Sequence, residues 1–145
     1  MIVVDTSAVI GVLAGQPEVP GLADRIRMDA DLHAPHLIDV EFQHALRWLV
    51  AAGAMTSDRA ADTRSDFADL SIIRYPHLPL ADRMWELRHN VTAYDAAFLV
   101  LAEVLAAPLI TCDARLARAP GHTASVEVYS VGQSHDPPDG ADSER

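Results

Sequence analysis

Short apolar runs alternate along this chain with longer stretches whose apolar residues recur every three or four positions. The first spacing suits strands buried on both faces, the second amphipathic helices. Met1–Val4 opens the series as a buried strand. A helix over Ala8–Ala14 follows, capped by Thr6 or Ser7 and stopped at Gly15 before Pro17. Gly21–Ala30 reads as a second helix and Leu32–Ala34 as a short strand. Pro35 then suits the first turn of a helix running to about Ala52, with Gly53 as its stop. Its apolar stripe is Leu37, Val40, Leu46 and Leu49, flanked by Phe42 and Val50. Thr56 or Ser57 begins a helix through Leu70, and Ser71–Tyr75 reads as a strand. Pro79–His89 is expected to be helical, burying Leu80, Met84 and Leu87. Behind Thr92 lies a strongly apolar helix, Tyr94–Leu105, ended by Pro108. Leu109–Cys112 makes another strand, Ala114–Arg118 a short helix or turn, and Val126–Val131 a closing strand.

Strands alternating with helices predict an α/β fold with a parallel sheet covered on both faces. The 145 residues suit one domain over residues 1–131, followed by a tail, 132–145, whose Asp, Pro, Gly and Ser content predicts disorder. No internal repeat is visible.

Composition narrows the class. Half the residues are hydrophobic and 22% are charged, which is globular. The lone cysteine, Cys112, excludes an internal disulfide framework and agrees with a reducing cytoplasm, the expected location. The N-terminus lacks the basic start of a signal peptide. The longest apolar stretch, Ala96–Ile110, contains Glu103 and Pro108 and is too short to span a bilayer. All 11 basic residues are arginine, and the net charge is −10. Residues 134–145 account for −3 of it, leaving −7 on the body. Two bound divalent cations would bring that body to about −3. Net charge therefore does not exclude a nucleic-acid substrate at a local site.

Four carboxylates change the picture most. Asp5 and Asp113 each follow directly on an apolar strand, and in open α/β sheets sites gather beyond the carboxyl ends of strands. Asp95 lies in the first turn of its helix, where an acid on its own commonly just stabilises the helix end. Glu41 lies between Val40 and Phe42, with Leu37 and Ala45 one turn away on the same face. Burying it there demands a cation or a basic group opposite. Acids so dispersed converge only through the fold, and once together they repel unless a divalent ion holds them.

Four segments carry a family resemblance: Val3-Val4-Asp5-Thr6-Ser7-Ala8, Ala34-Pro35-His36-Leu37 leading to Glu41, Thr92-Ala93-Tyr94-Asp95-Ala96, and Leu109-Ile110-Thr111-Cys112-Asp113 followed by Leu116. In this order and spacing the chain resembles the PIN-domain ribonucleases, specifically the VapC-type toxins of toxin–antitoxin modules. The resemblance implies a PIN-like three-layer sandwich with a central parallel sheet flanked by helices. It implies that Asp5, Glu41, Asp95 and Asp113 form an acidic quartet, at once catalytic and metal-binding, holding Mg²⁺ or Mn²⁺. Thr6, Ser7 and Thr111 fall where the family uses hydroxyls near those acids. His44 departs from the asparagine often found three residues after the helix glutamate.

The implied activity is metal-dependent hydrolysis of RNA by in-line attack of an activated water, leaving a 5′-phosphate and a 3′-hydroxyl. Implied partners are a VapB-like antitoxin protein and a second copy of the chain. Arg88, Arg115 and Arg118 lie near the acids in sequence and are candidate substrate contacts. His33, His36, His77 and His122 show no ligand spacing and read as polar or capping residues, Cys112 as a small buried hydrophobe, and Trp48 and Trp85 as core or dimer interface. A receiver domain would need a lysine, and a haloacid-dehalogenase-type phosphatase a second acid at position 7, which is serine. The competing reading is a non-catalytic PIN-like module that binds RNA or protein, although such a scaffold has no need of clustered negative charge.

Overall fold

The computed structural model describes residues 1–15, 18–29 and 31–132, so the expected tail lies, apart from Gly132, outside the described residues. Five strands form one sheet: β1 (Ile2–Val4), β2 (Leu32–Pro35), β3 (Ile72–Tyr75), β4 (Leu109–Thr111) and β5 (Val126–Val128). Their order is β3-β2-β1-β4-β5, and every neighbouring pair is parallel. Val3 stands opposite His33 on one side and Leu109 on the other, which puts the first strand at the centre. Its three residues are fully buried, as an apolar run in a sheet covered on both faces must be.

Helices α1 (Thr6–Leu13) and α2 (Leu22–Met28) connect β1 to β2, and α3 (Leu37–Ala51) and α4 (Ser57–Asp69) connect β2 to β3. A 3-10 turn (Leu78–Leu80), α5 (Ala81–Glu86) and α6 (Ala93–Leu105) lead back to β4, and α7 (Ala114–Arg118) joins β4 to β5. Right-handed crossovers put helices on one face while the chain steps one way across a sheet and on the other when it steps back. Accordingly α1 packs with α2, α3 and α4, whereas α6 lies across β1, β2 and β4 with α5 against it. The result is the expected three-layer sandwich. Ala96 through Ala102 of α6 are all buried, so the middle of this helix has no polar side to present.

Several local expectations are corrected. The cap of α1 is neither Thr6 nor Ser7 but Asp5, whose side chain accepts from Ala8 N. Pro35 closes β2 rather than opening a helix, and His77 Nε2 accepts from Leu37 N at 3.1 Å to serve the start of α3. The buried stripe of α3 is Ile38, Phe42 and Leu46, while Val40 is 69% exposed. The cause is Phe42, which stacks on Phe67 of α4 at 3.9 Å and fixes the rotation of α3. The helix expected over Pro79–His89 is only the 3-10 turn and the six residues of α5. The closing strand stops at Val128. Trp48 and Trp85 are exposed, not core.

Candidate active site

The chain leaves β1 and moves to β2 and β3 on one side, then crosses back to β4 and β5, so the topological switch point lies between β1 and β4. A crevice opens at that point beyond the strand ends. Asp5 follows β1 directly and Asp113 follows β4 by one intervening residue. Glu41 comes in from the second turn of α3, and Asp95 from the first turn of α6, where Thr92 caps the helix by accepting from Asp95 N at 3.2 Å. All four carboxylates line one cavity of about 290 Å³, whose apolar walls are Ile10, Ala45 and Phe98.

Hydroxyls organise these acids. Ser7 Oγ donates to Asp5 Oδ1 at 2.7 Å and Thr111 Oγ1 donates to Asp5 Oδ2. The same two oxygens accept from the backbone beyond β4, Ser7 from Cys112 N at 2.8 Å and Thr111 from Asp113 N at 2.9 Å. Since each hydroxyl has a single hydrogen and that hydrogen is on Asp5, the 3.2 Å approach of Ser7 Oγ to Thr111 Oγ1 is contact rather than a third donation. The loop after β1 is thereby stitched to the loop after β4. On the other side of the cavity Thr6 Oγ1 donates to Glu41 Oε2 at 2.6 Å.

The electrostatics divide the acids. Burial raises the Asp5 carboxyl above its ordinary value, against the bonds from Thr111, Ser7 and Ala8, and the charge of Asp113 raises it further. Burial likewise raises Glu41, opposed by Thr6 and assisted by the charges of Asp5 and Asp95. Asp113 is held low instead, chiefly by Arg115, whose guanidinium and backbone N–H both donate to it. Burial and the Asp5 charge push the half-buried Cys112 thiol up to about 11, so it is not a thiolate nucleophile at neutral pH.

Among the described residues no three His, Cys, Asp or Glu side chains stand at metal-holding separation. Three of the acids are bonded to internal partners instead, Asp5 to Thr111 and Ser7, Glu41 to Thr6, Asp113 to Arg115. The four nevertheless share the lining of one cavity. As an all-oxygen donor set the four suit a hard divalent cation.

Arg115 and Arg118 line a second cavity, of about 320 Å³, which meets the first at Asp95 and also takes in Asn90 and Thr92. Arg88 lies elsewhere, its guanidinium 4.7 Å above the Trp85 ring and bonded to Trp85 O. Two of the histidines hold local structure: His33 Nδ1 pairs with Tyr75 Oη at 2.8 Å and His122 Nε2 with Leu116 O at 2.9 Å. Two residues lining an adjoining cavity, His44 and Tyr94, were assigned no role from the sequence, although His44 stood out as a departure from the family's asparagine. Their positions were legible all the same, three residues after Glu41 and one before Asp95.

A sequence model of the PIN domain matches residues 2–122. The chain belongs to the PIN-domain family. Within it, this PIN domain is 39% identical over 127 residues to Ribonuclease VapC1 of Mycobacterium tuberculosis, covering 87% of the chain and 96% of that protein. It is 37% identical to Ribonuclease VapC12 of the same organism, over 90% of the chain and all of the relative. A solved structure of VapBC-5, a member of the VapBC family of toxin–antitoxin systems from M. tuberculosis, superposes with a TM-score of 0.54 at 27% identity, covering 90% of this chain and 98% of that one. The PIN domain is thus of the VapC type.

Proposed function

We propose that this chain is a metal-dependent endoribonuclease and the toxin of a toxin–antitoxin pair. The observation that carries the reading is the meeting of Asp5, Glu41, Asp95 and Asp113 around one small cavity at the switch point of the sheet. Likeness to named VapC ribonucleases supports RNA as the substrate, and likeness to VapBC-5 supports a VapB-like antitoxin as partner. Exposed Trp48, Leu78 and Trp85 support a homodimer. No helix among the described residues is long and apolar enough to cross a membrane.

The chain's own residues have separable tasks. Asp5, Glu41, Asp95 and Asp113 would hold Mg²⁺ or Mn²⁺. Ser7 and Thr111 aim Asp5, and Thr6 aims Glu41. Bound there, the cation would neutralise the non-bridging phosphate oxygens, activate the attacking water and stabilise the leaving oxygen. Arg115 and Arg118 offer guanidinium forks to a neighbouring phosphate. Ile10 and Phe98 exclude bulk water from the inner wall.

Purified protein should cleave RNA with Mg²⁺ or Mn²⁺, stop in EDTA, and lose activity in Asp5→Asn and Asp95→Asn. Undiminished cleavage by either folded variant refutes the reading, as does cleavage that ignores EDTA.

A further inference from the structure

A third cavity, of about 530 Å³, adjoins the acidic one and shares Thr6, Glu41 and Ala45 with it. Its remaining lining is of another character: Leu37, Val40 and His44 from α3, facing Tyr94 at the start of α6. Tyr94 is 63% exposed and Val40 69% exposed, an aromatic ring and an aliphatic face with no protein packed over them among the described residues. The positions follow from the acids. His44 is three residues after Glu41, hence on the same helical face, and Tyr94 directly precedes Asp95. Whatever enters this cavity therefore lies against Glu41, one of the four carboxylates.

We propose that this cavity is a nucleobase subsite, taking the base of a nucleotide that flanks the scissile phosphate; the proposal rests on the nuclease reading above. A phosphodiester seated at the acids must carry its neighbouring sugars and bases out along the surface. The two exits differ in chemistry. On the α7 side the acidic cavity passes into the one lined by Arg115 and Arg118, which suits a phosphate. On the α3 side it passes into an apolar cavity walled by a tyrosine, which suits a planar ring and repels a phosphate beside Glu41. Single-stranded nucleic acid is held in this way, with aromatic side chains stacking bases and basic groups tracking the backbone. The volume falls within the usual range for small-molecule sites. Tyr94 supplies the stacking face, Leu37 and Val40 the apolar floor, and His44 the polar edge. A neutral imidazole has one donor and one acceptor, so His44 reads the hydrogen-bonding edge of the base while Tyr94 does not discriminate.

The two side chains thus have different signatures. The probe is a short single-stranded RNA carrying 2-aminopurine beside the cut, bound in Ca²⁺ to suppress cleavage, with kcat/KM measured in Mg²⁺ for RNAs differing only at that base. Tyr94→Ala should abolish the stacking quench and lower kcat/KM by about 5- to 100-fold for every base, while Tyr94→Phe keeps both. His44→Ala should leave the quench and level the preference among bases. Both side chains lie at the surface, so circular dichroism should show the native fold. An undiminished quench and unchanged kcat/KM in Tyr94→Ala overturn the proposal and leave the surface to a protein partner. If wild-type protein cleaves no RNA the nuclease reading fails, and the quench in wild type against Tyr94→Ala still decides the subsite: loss supports it, persistence overturns it.

Discussion

Replacing Asp5 by asparagine examines the site through stability as well as activity. Asp5 is 7% exposed, and its burial outweighs the three hydrogen bonds it accepts, so its carboxyl titrates above the ordinary 3.8. Well below its ordinary value of 3.8 such a group is neutral in both folded and unfolded chains and costs nothing. As the pH rises the unfolded chain ionises first, and stability is lost until the pH has passed the raised folded pKa. At neutral pH the Asp5 carboxyl is therefore a net liability to folding. Asparagine keeps the shape and removes the charge, and the hydroxyl network can absorb it. The amide oxygen accepts from Ser7 and from Ala8 N, as Asp5 Oδ1 does now. The amide nitrogen donates to Thr111 Oγ1, and the Thr111 hydrogen turns to Ser7 Oγ, already 3.2 Å away. Three charge-assisted bonds become neutral ones, a loss of roughly 1 kcal/mol each. Against that stands relief of a desolvation penalty on the order of several kcal/mol. The raised carboxyl fixes the sign of the balance, and the prediction is a net gain on the order of 1 kcal/mol, roughly 3 °C for a domain of this size. Thermal unfolding followed by circular dichroism in EDTA at pH 7 should show Asp5→Asn melting above wild type, and at pH 3.5 the gap should narrow. With Mg²⁺ at a hundred times its dissociation constant, wild type should gain about 2.7 kcal/mol and overtake the variant. A folded variant that melts below wild type in EDTA, or that responds equally to Mg²⁺, refutes the reasoning.

Three further perturbations are informative. Thr111→Val keeps the volume of a fully buried side chain but leaves Asp5 Oδ2 without its donor and Asp113 N without its acceptor. It should cost about 3 kcal/mol in urea unfolding, and a cost under about 0.5 kcal/mol would mean the stitch carries no stability. Glu103, held low chiefly by Arg83 and also accepting from Thr123 N, contributes stability above about pH 4.5 that is lost as the pH falls through its lowered pKa. Glu103→Gln should therefore cost about 1 kcal/mol at pH 7 and less in acid, and a cost that does not vary with pH would contradict the assigned cause. Arg118→Ala should reduce the slope of log Kd against log salt for RNA by about one, and an unchanged slope removes Arg118 from the substrate path.

The sandwich was legible because its signals are local and redundant: apolar runs of strand length, turn residues between them, and caps such as Thr56 and Thr92 where they were expected. Gly53 also stops α3 as expected, at φ +71. What escaped is set by packing. The rotation of α3 depends on Phe42 meeting Phe67, a contact across two helices that no periodicity within α3 contains. Asp5 was legible as a strand-end acid and not as a helix cap, because both roles fall on one residue and the hydroxyls of Thr6 and Ser7 next to it can also cap. Arg88 was close to Asp95 in sequence, yet the short α5 and its turn leave it on Trp85. Proximity along the chain selects a neighbourhood, and only the backbone path selects a direction.

Asp5 and Asp113 occupy equivalent places, each just past one of the two strands that flank the switch point, and yet their environments are opposite. The difference lies in which hydroxyls face inward. Ser7, from the start of α1, and Thr111, the last residue of β4, both turn their hydrogens to Asp5 and leave only their oxygens for the backbone that carries Asp113. Asp5 is fixed from three directions before any cation arrives. Asp113 is paired with Arg115, whose side chain is 80% exposed, so this hold is screened and easily exchanged. Preorganisation of a metal site requires at least one carboxylate that cannot turn away, and assembly requires at least one that can. If the four acids hold a cation as proposed, buried Asp5 is disposed to be the first and arginine-paired Asp113 the second.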